Sequence, residues 1–325
     1  MAATKLFMKQ PIMRRVIIAT LPCTAASIYF FGWRCLAIII VSCSVAFIAE
    51  YAFCRRMNKP VSEAVFVTAI IFALIMPPTI PWHVLIIGIV FAIVFSKMVF
   101  GGFGLNIFNP AASGRAFVYI SFPLAMTAKW APAAQGSWGA LKMWTTAISA
   151  DTISAATPMT LVKAGQAAPA ITQLLTGRLA GTLGVTSAGA IILGALYLII
   201  SKTANRWIII TTIGTYIIIN GLFSLLNIRA APGIIPALLG GGFLFGACFM
   251  ATDPISAPKS KLAQIFYSII IAITTAIIRT FSVFNGGLMF AILLANMFAP
   301  ILDIAFKKRT SNTTLLKGDI KKKNP

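Results

Sequence analysis

Long apolar runs, separated by short polar or Gly/Pro-rich segments, recur along nearly the whole chain. Each run has roughly 16–21 residues, close to the length with which an α-helix crosses the hydrocarbon core of a bilayer. We therefore predict an all-α polytopic membrane protein with about ten transmembrane helices, the first of them a retained helix rather than a cleaved signal peptide. The predicted spans are 16–31, 35–50, 61–77, 81–100, 113–128, 183–201, 206–226, 234–251, 262–281 and 287–306.

The largest polar insertion divides the predicted spans into five before it and five after it. This division predicts a first membrane repeat at 1–128, an extracytoplasmic connection at 129–182, a second membrane repeat at 183–306 and a basic cytoplasmic tail at 307–325. Because each repeat has an odd number of spans, the second must enter the membrane in the opposite sense. The count therefore predicts two inverted five-helix repeats.

Each predicted repeat contains a Gly-Gly-Phe sequence and, further on, a polar residue directly before proline. These are 101–103 and Asn109-Pro110 in the first repeat, and 241–243 and Asp253-Pro254 in the second. Proline removes a backbone donor and disfavours helix in the residue before it. A break at membrane depth must be covered by protein or line a cavity, so we predict a midplane site that includes Asn109, Arg115 and Asp253. Two ordinary Gly/Pro loops at the cytoplasmic surface are the alternative.

The composition is typical of a chain whose solvent is largely lipid. Hydrophobic residues make up 59% of the chain, charged residues 10%, and the mean hydropathy is +0.92; a soluble globule could not be covered by so few polar side chains. The net charge is +21, and with the N-terminus placed inside, twenty basic residues fall on the cytoplasmic side and seven outside. This positive-inside bias predicts cytoplasmic termini in the cell inner membrane and a tail facing anionic lipid rather than nucleic acid.

Acidic side chains are rare, with six in the whole chain. A carboxylate at membrane depth is costly unless it faces a cavity or a partner, so Glu63 and Asp303 are candidates for an ion path. Glu63 has a structural alternative, because it could complete the first turn of a helix after Ser62. Asp253 is interpreted mainly as a cap for the backbone donors that Pro254 frees. The five cysteines lack metal-ligand spacing and are interpreted as packing residues, so no metal site is predicted.

The most informative polar sequence is Asp151-Thr152-Ile153-Ser154-Ala155-Ala156-Thr157, in the 129–182 connection. It resembles the flavin-attachment sequence of the family formed by the D subunit of the Rnf electron-transport complex and the B subunit of the sodium-pumping NADH:quinone oxidoreductase. Ala155 stands where that family usually has Gly, a change that costs little unless the backbone there needs a positive φ. The structural alternative is that Asp151 or Ser154 caps a helix beginning near Pro158.

Four further stretches, in the same order as in that family, extend the resemblance over most of the chain. They are Ala73–Pro78 with Pro81-Trp82, then Phe108–Phe117, Met250–Ser256 and Leu293–Asp303. The resemblance implies a urea-transporter-like inverted repeat of ten helices, in agreement with the span count.

The resemblance also implies FMN joined to the hydroxyl of Thr157 through a phosphoester bond. Asp151, Ser154, Ala155 and Ala156 complete the matched attachment motif. A separate flavinylating enzyme would transfer the FMN from FAD, with Asp151 orienting the hydroxyl or a metal during that transfer. The small side chains at 155 and 156 would leave room for the phosphate and for that enzyme.

A second, non-covalent flavin, riboflavin, is implied for many members of the family, and the midplane residues Asn109, Arg115 and Asp253 are its candidate site. Expected partners are the other subunits of an Rnf-type complex, especially the G-type subunit with its own covalent flavin and the membrane subunits of A and E type. Such a subunit would carry electrons and contribute to a Na⁺ or H⁺ path. Without nicotinamide or iron–sulphur motifs of its own, it would not be catalytically complete alone.

Three alternatives stay open. The B subunit of the quinone reductase is disfavoured because it normally carries a longer N-terminal extension. A urea-transporter-like solute channel would use the same repeat without redox chemistry, and a structural anchor could have lost its flavin. The 151–157 motif separates these possibilities, because a solute channel has no need of it. Trp130, Trp138 and Trp144 could pack on a flavin ring or belong to an interfacial aromatic belt.

Overall fold

The computed structural model describes residues 6–127, 130–146, 158–163, 166–228, 231–282 and 286–322. The predicted attachment motif at 151–157 lies outside these residues. Within them helix predominates and strand is almost absent, which confirms the predicted all-α class. The sheet found there is a parallel pair of two-residue strands, β1 (Phe7–Met8) and β2 (Val61–Ser62).

The helices follow one another along the chain with short connections. In order they are α1 (Pro11–Phe31), α2 (Arg34–Arg56), α3 (Ala64–Leu74), α4 (Trp82–Ile93, continued by a π-helical turn at Val94–Met98), α5 (Pro110–Ser121), α6 (Pro123–Thr127), α7 (Pro158–Lys163), α8 (Ile171–Thr176), α9 (Ala188–Ile200), α10 (Arg206–Leu225), α11 (Ile234–Leu239), α12 (Phe243–Phe245, continued by a π-helical turn at Gly246–Met250), α13 (Lys261–Phe281) and α14 (Gly287–Lys322).

Five helices of the described chain are long and apolar enough to cross a membrane. These are α1, α2, α10, α13 and the first twenty residues of α14, Gly287–Phe306. Each coincides with one of the predicted spans, so a multi-pass membrane protein is confirmed. Helices α3, α4 with its π turn, and α9 are apolar but shorter, and the number of ten spans stays a prediction.

Two predicted spans are broken in the structure, each for a local reason. The span predicted at 113–128 divides into α5 and α6 at Phe122, which precedes Pro123 and is therefore disfavoured in helix. The span predicted at 234–251 divides into α11 and α12 at the glycine turn, Gly240–Gly242. There Gly241 and Gly242 have φ of +58° and +74°, a region that residues other than glycine rarely adopt.

The two Gly-Gly-Phe sequences occupy different places, so pairing the repeats through them is corrected. Residues 101–103 lie in turns that follow the π turn of α4, whereas 241–243 lead into α12. Helix α3 and helix α12 with its π turn share other features. Both are buried, and a proline follows each within four residues, Pro77 in one case and Pro254 in the other.

The beginning of the 129–182 connection is held against the turn between α1 and α2. Backbone N–H groups of Ala134 and Ala140 donate to the carbonyls of Phe30 and Tyr29 at 2.9 and 2.7 Å, and Arg34 donates to Trp144 at 2.7 Å. The connection therefore starts at the same end of the molecule as the α1–α2 turn, where the span count places both.

Candidate functional site

A chamber of about 470 Å³ opens at this end of the molecule. Its walls come from α5, α6, α7, the segment 179–186 and the glycine turn. Pockets for small molecules and cofactors usually measure roughly 300–1,000 Å³ and are mostly apolar with a few polar groups. The chamber has that size, and its apolar lining is supplied by Met126, Met159, Leu174, Leu179, Val185 and Leu239.

The segment that follows the predicted attachment residue in the sequence reaches the chamber. Met159 and Thr160, in the first turn of α7, both line it. Thr157 itself, two positions before Met159 in the sequence, lies outside the described residues. Of the three tryptophans singled out in the sequence, Trp130 lines the chamber, whereas Trp138 and Trp144 are 73% and 58% exposed.

The chamber carries positive charge. Arg115 projects into it from α5, and the side chain of Arg115 makes no hydrogen bond to any residue that the structure describes. Lys163, at the end of α7, donates from Nζ to the carbonyl of Ser282 at 2.7 Å. The four carboxylates whose side chains the structure describes, those of Glu50, Glu63, Asp253 and Asp303, all lie elsewhere in the fold. The electrostatic field of this chamber therefore favours an anionic ligand.

Arg279 of α13 builds the inner wall of the chamber, although charge counting along the sequence places it only among the external basic residues. Its guanidinium is buried and donates to the carbonyl of Gly241 at 2.5 Å, to the carbonyl of Ala237 at 3.3 Å and to the hydroxyl of Tyr216 at 3.2 Å. Arg279 therefore fixes the glycine turn. Together with Arg115 it also lines an inner cavity of about 50 Å³, which adjoins the chamber.

A buried ion network, which the sequence did not predict, lies at the end of the molecule opposite the chamber. Lys97, on the π turn of α4, donates from Nζ to Oε2 of Glu50 at 2.5 Å and to Oγ of Ser62 at 2.7 Å. Ser62 in turn donates to Oε1 of Glu50 through its hydroxyl at 2.6 Å and its N–H at 3.0 Å. The available signal was a lone lysine in an apolar run, since a charge at such a position needs a partner.

Lys97 also lines a cavity of about 60 Å³, the Lys97 cavity, whose wall is mostly apolar but includes Asn106, Asn109, Thr252 and Asp253. The structure thus brings two of the three predicted midplane residues, Asn109 and Asp253, to one cavity. Arg115 lies with the chamber instead. The Lys97 cavity is far smaller than the ~300 Å³ at which ligand pockets usually begin, so it does not provide a flavin site, and the place of the predicted riboflavin stays open.

Asn109 joins the two broken segments. Its side chain accepts from the N–H of Ala112, which caps α5, and donates to the carbonyl of Met250 at 3.1 Å. Its own N–H donates to Oδ1 of Asn296 at 3.0 Å. The end of α12 and the start of α5 are therefore linked by one buried amide.

The three remaining acidic candidates each hold a defined contact. Asp253 accepts from the N–H of Ile255 and the hydroxyl of Ser256, which is the capping role that the sequence predicted. Glu63 forms an ion pair with Arg14 and accepts from the N–H of Gln10. Asp303 accepts from the N–H groups of Lys259 and Ser260, both at 2.9 Å.

The sequence pattern of the NQR2, RnfD, RnfE family matches residues 6–312. The chain belongs to this family. The assignment made from the five motifs is thereby confirmed. The match runs through the chamber, the inner cavity, the ion network and the Lys97 cavity, so all four belong to the shared family region.

Named members of the NQR2, RnfD, RnfE family align along most of the chain. The D subunit of the ion-translocating oxidoreductase complex of Alcanivorax borkumensis is 33% identical over 318 residues, which cover 92% of this chain and 91% of that protein. The D subunit of the Na⁺-translocating ferredoxin:NAD⁺ oxidoreductase complex of Acetobacterium woodii is 34% identical, over 95% of this chain and 93% of its own length. The B subunit of the Na⁺-translocating NADH-quinone reductase of Ectopseudomonas mendocina is 36% identical over 266 residues, which cover 78% of this chain and 62% of that protein.

Proposed function

We propose that this chain is the D-type membrane subunit of an Rnf-type ion-translocating ferredoxin:NAD oxidoreductase, and that it carries electrons on FMN bound covalently to Thr157. Family membership supports the first part. The D-type assignment is favoured over the B-type member of the quinone reductase because the D-type relatives align over 92% and 95% of this chain, against 78% for the B-type relative.

The observation that supports the flavin most directly is the chamber of about 470 Å³ whose wall contains Met159 and Thr160. The donor set of the chamber suits an anionic, largely apolar ligand, since Arg115 supplies charge and the rest of the wall is mostly apolar. FMN, when bound there, would supply the acceptance and release of electrons. The chain would orient the ring between Trp130, Met159 and the glycine turn, and would keep bulk water away from it.

A fluorescence measurement on the denatured polypeptide tests the attachment. The chain is expressed with its complex and with the flavinylating enzyme, and in-gel flavin fluorescence is compared between wild type and Thr157→Val. Thr160→Val serves as the matched control, because it removes a hydroxyl from the wall of the same chamber. We expect fluorescence in wild type and Thr160→Val, and a dark band for Thr157→Val.

The other outcomes of this experiment overturn the proposal. Fluorescence that persists in Thr157→Val would move the attachment to another residue. A dark wild-type band, with the enzyme confirmed as present, would exclude covalent FMN. If Ala155→Gly then restored the fluorescence, the alanine would be the cause, and the chain would be a family member that has lost its flavin.

We further propose that the end carrying the carboxylates takes part in the ion path, with Glu63 and Asp303 on the cytoplasmic side. In support, Glu50, Glu63, Asp253 and Asp303 all belong to the predicted cytoplasmic ends of their segments, and Asp253 lines the Lys97 cavity. Glu63→Gln and Asp303→Asn in complexes reconstituted into vesicles are expected to lower ion uptake more than electron transfer. Equal losses of both rates, or no loss of either, would remove these residues from the path.

A further inference from the structure

The positive charge of the chamber exceeds what an apolar flavin ring requires. Arg115 and Arg279 both line the inner cavity, and an arginine keeps its charge in proteins. Among the described residues, no carboxylate lines either the chamber or the inner cavity. The described acceptors of Arg279 are two carbonyls and a phenol, and its Nε is buried without a partner.

This arrangement is costly for the protein by itself. A cation withdrawn from water is stabilised by a counter-charge or by a full set of hydrogen bonds, and the half-buried Arg115 has neither within the described part of the chain. Arginine is the side chain best suited to bind an anionic oxygen, because its planar group presents paired donors. The missing counter-charge is therefore expected on a ligand.

We propose that Arg115 and Arg279 form an anion site at the inner end of the chamber, which binds the negative charge of the tethered FMN. The inference rests on the proposed function and adds which charge the chamber recognises. FMN carries negative charge on its phosphate in every redox state, and the ring gains negative charge when it is reduced. Positive charge beside the ring stabilises its reduced form relative to the oxidised form, and so raises its reduction potential.

The test compares Arg115→Gln, Arg115→Lys and wild type in the intact complex. Arg178→Gln is the control, since Arg178 directly precedes the chamber residue Leu179 but is exposed. Covalent flavin per polypeptide is measured first. The potential of that flavin is then titrated spectroelectrochemically, and the fluorescence anisotropy of its oxidised form is recorded.

If the site binds the charge of the reduced ring, Arg115→Gln shifts the equilibrium towards oxidised flavin about tenfold, which corresponds to about 59 mV for one electron. Arg115→Lys retains most of the potential, and Arg178→Gln leaves it unchanged. If the site binds the phosphate, the potential stays close to wild type. The anisotropy of the oxidised flavin then falls, because the covalent bond alone holds the flavin once the contact between its phosphate and Arg115 is lost. Either result supports the anion site and identifies whether it binds the ring or the phosphate of the FMN.

Three results overturn the inference. Arg115→Gln could leave both potential and anisotropy unchanged, or Arg178→Gln could lower the potential equally, which would indicate a general field and no site. The third concerns the flavin-free Thr157→Val background. If Arg115→Gln and Asp151→Asn each destabilise that protein equally, Asp151 is the counter-charge. A wild type without covalent flavin contradicts the proposed function instead, so the two failures are distinguishable.

Discussion

The buried pair of Lys97 and Glu50 makes a strong quantitative prediction about stability. Each side chain is 2% exposed, so neither charge is screened by water. Lys97→Met leaves the Glu50 carboxylate with the donors of Ser62 alone. Removing one partner of a buried ion pair costs about 3–5 kcal/mol, because the charge that remains is uncompensated. We expect Lys97→Met and Glu50→Gln each to cost that much.

The double variant Glu50→Gln with Lys97→Met distinguishes this reasoning from simple loss of contacts. It leaves no uncompensated charge, and replacing a buried pair by neutral groups is often close to neutral for stability, with reported gains of ~1–4 kcal/mol. The double variant should therefore be more stable than either single variant. This sign is opposite to that of additive contact losses.

The assay is SDS-driven unfolding of the purified chain in mixed micelles, monitored by tryptophan fluorescence. Lys261→Met is the control, because it removes an exposed lysine from the first turn of α13, and exposed substitutions usually change stability by within about 0.5 kcal/mol. Additive losses in the double variant, or single losses no larger than that of Lys261→Met, would refute the assignment of a buried ion pair.

Three further predictions use the same unfolding assay. Gly242→Ala should cost about 1–3 kcal/mol, because a Cβ there would lie 2.3 Å from Cγ1 of Val185 at a φ of +74°. Gly104→Ala, at a φ of +88° with no atom within 4 Å of the added Cβ, should cost less. Equal costs would show that backbone strain alone destabilises both variants. Asn109→Ala should cost about 1–3 kcal/mol through the lost cap of α5 and the unpaired Met250 carbonyl; Asn109→Asp keeps the cap but turns a carboxylate oxygen towards that carbonyl in a buried place, so it should cost at least as much. Arg14→Met should cost far less stability than Lys97→Met, since Arg14 is 59% exposed in its pair with Glu63 and water screens that pair; a loss as large as that of Lys97→Met would contradict the distinction between the two pairs.

The sequence was sufficient for features that depend on local pattern. Apolar length identified α2, α10 and α13, and the rule against helix before proline anticipated the role of Asp253 as a cap. The break between α11 and α12 was missed although three consecutive glycines stand there. An apolar run predicts burial but not where the backbone turns. The glycine turn is held by Arg279, which donates to the carbonyl of Gly241 from a position 38 residues further along the chain.

The side-chain network between distant positions could not be predicted from periodicity. Lys97 and Glu50 are 47 residues apart, and a lysine that ends an apolar run is ordinarily interpreted as a cytoplasmic flank. Burial and pairing become visible once α2, α4 and β2 are placed together. The chamber could not be predicted either, because Arg115, Met159 and Gly241 of its wall come from three separate segments of the chain. The family resemblance predicted a flavin, but only the tertiary structure shows a cavity large enough for one.

The distribution of charge suggests how a single chain separates two tasks. Unpaired positive charge lies at the chamber, and the four described carboxylates, with their partners, lie at the other end. Between them lie the short helices α3 and α12, and Asn109 binds the end of α12 at Met250. If the chamber holds the proposed flavin, an electron that reaches it would change the charge beside Arg115 and Arg279, and the guanidinium of Arg279 binds the glycine turn before α12. The backbone from that turn through α12 to Asp253 is therefore a route by which such a redox change would reach the cavity of Lys97 and Asp253.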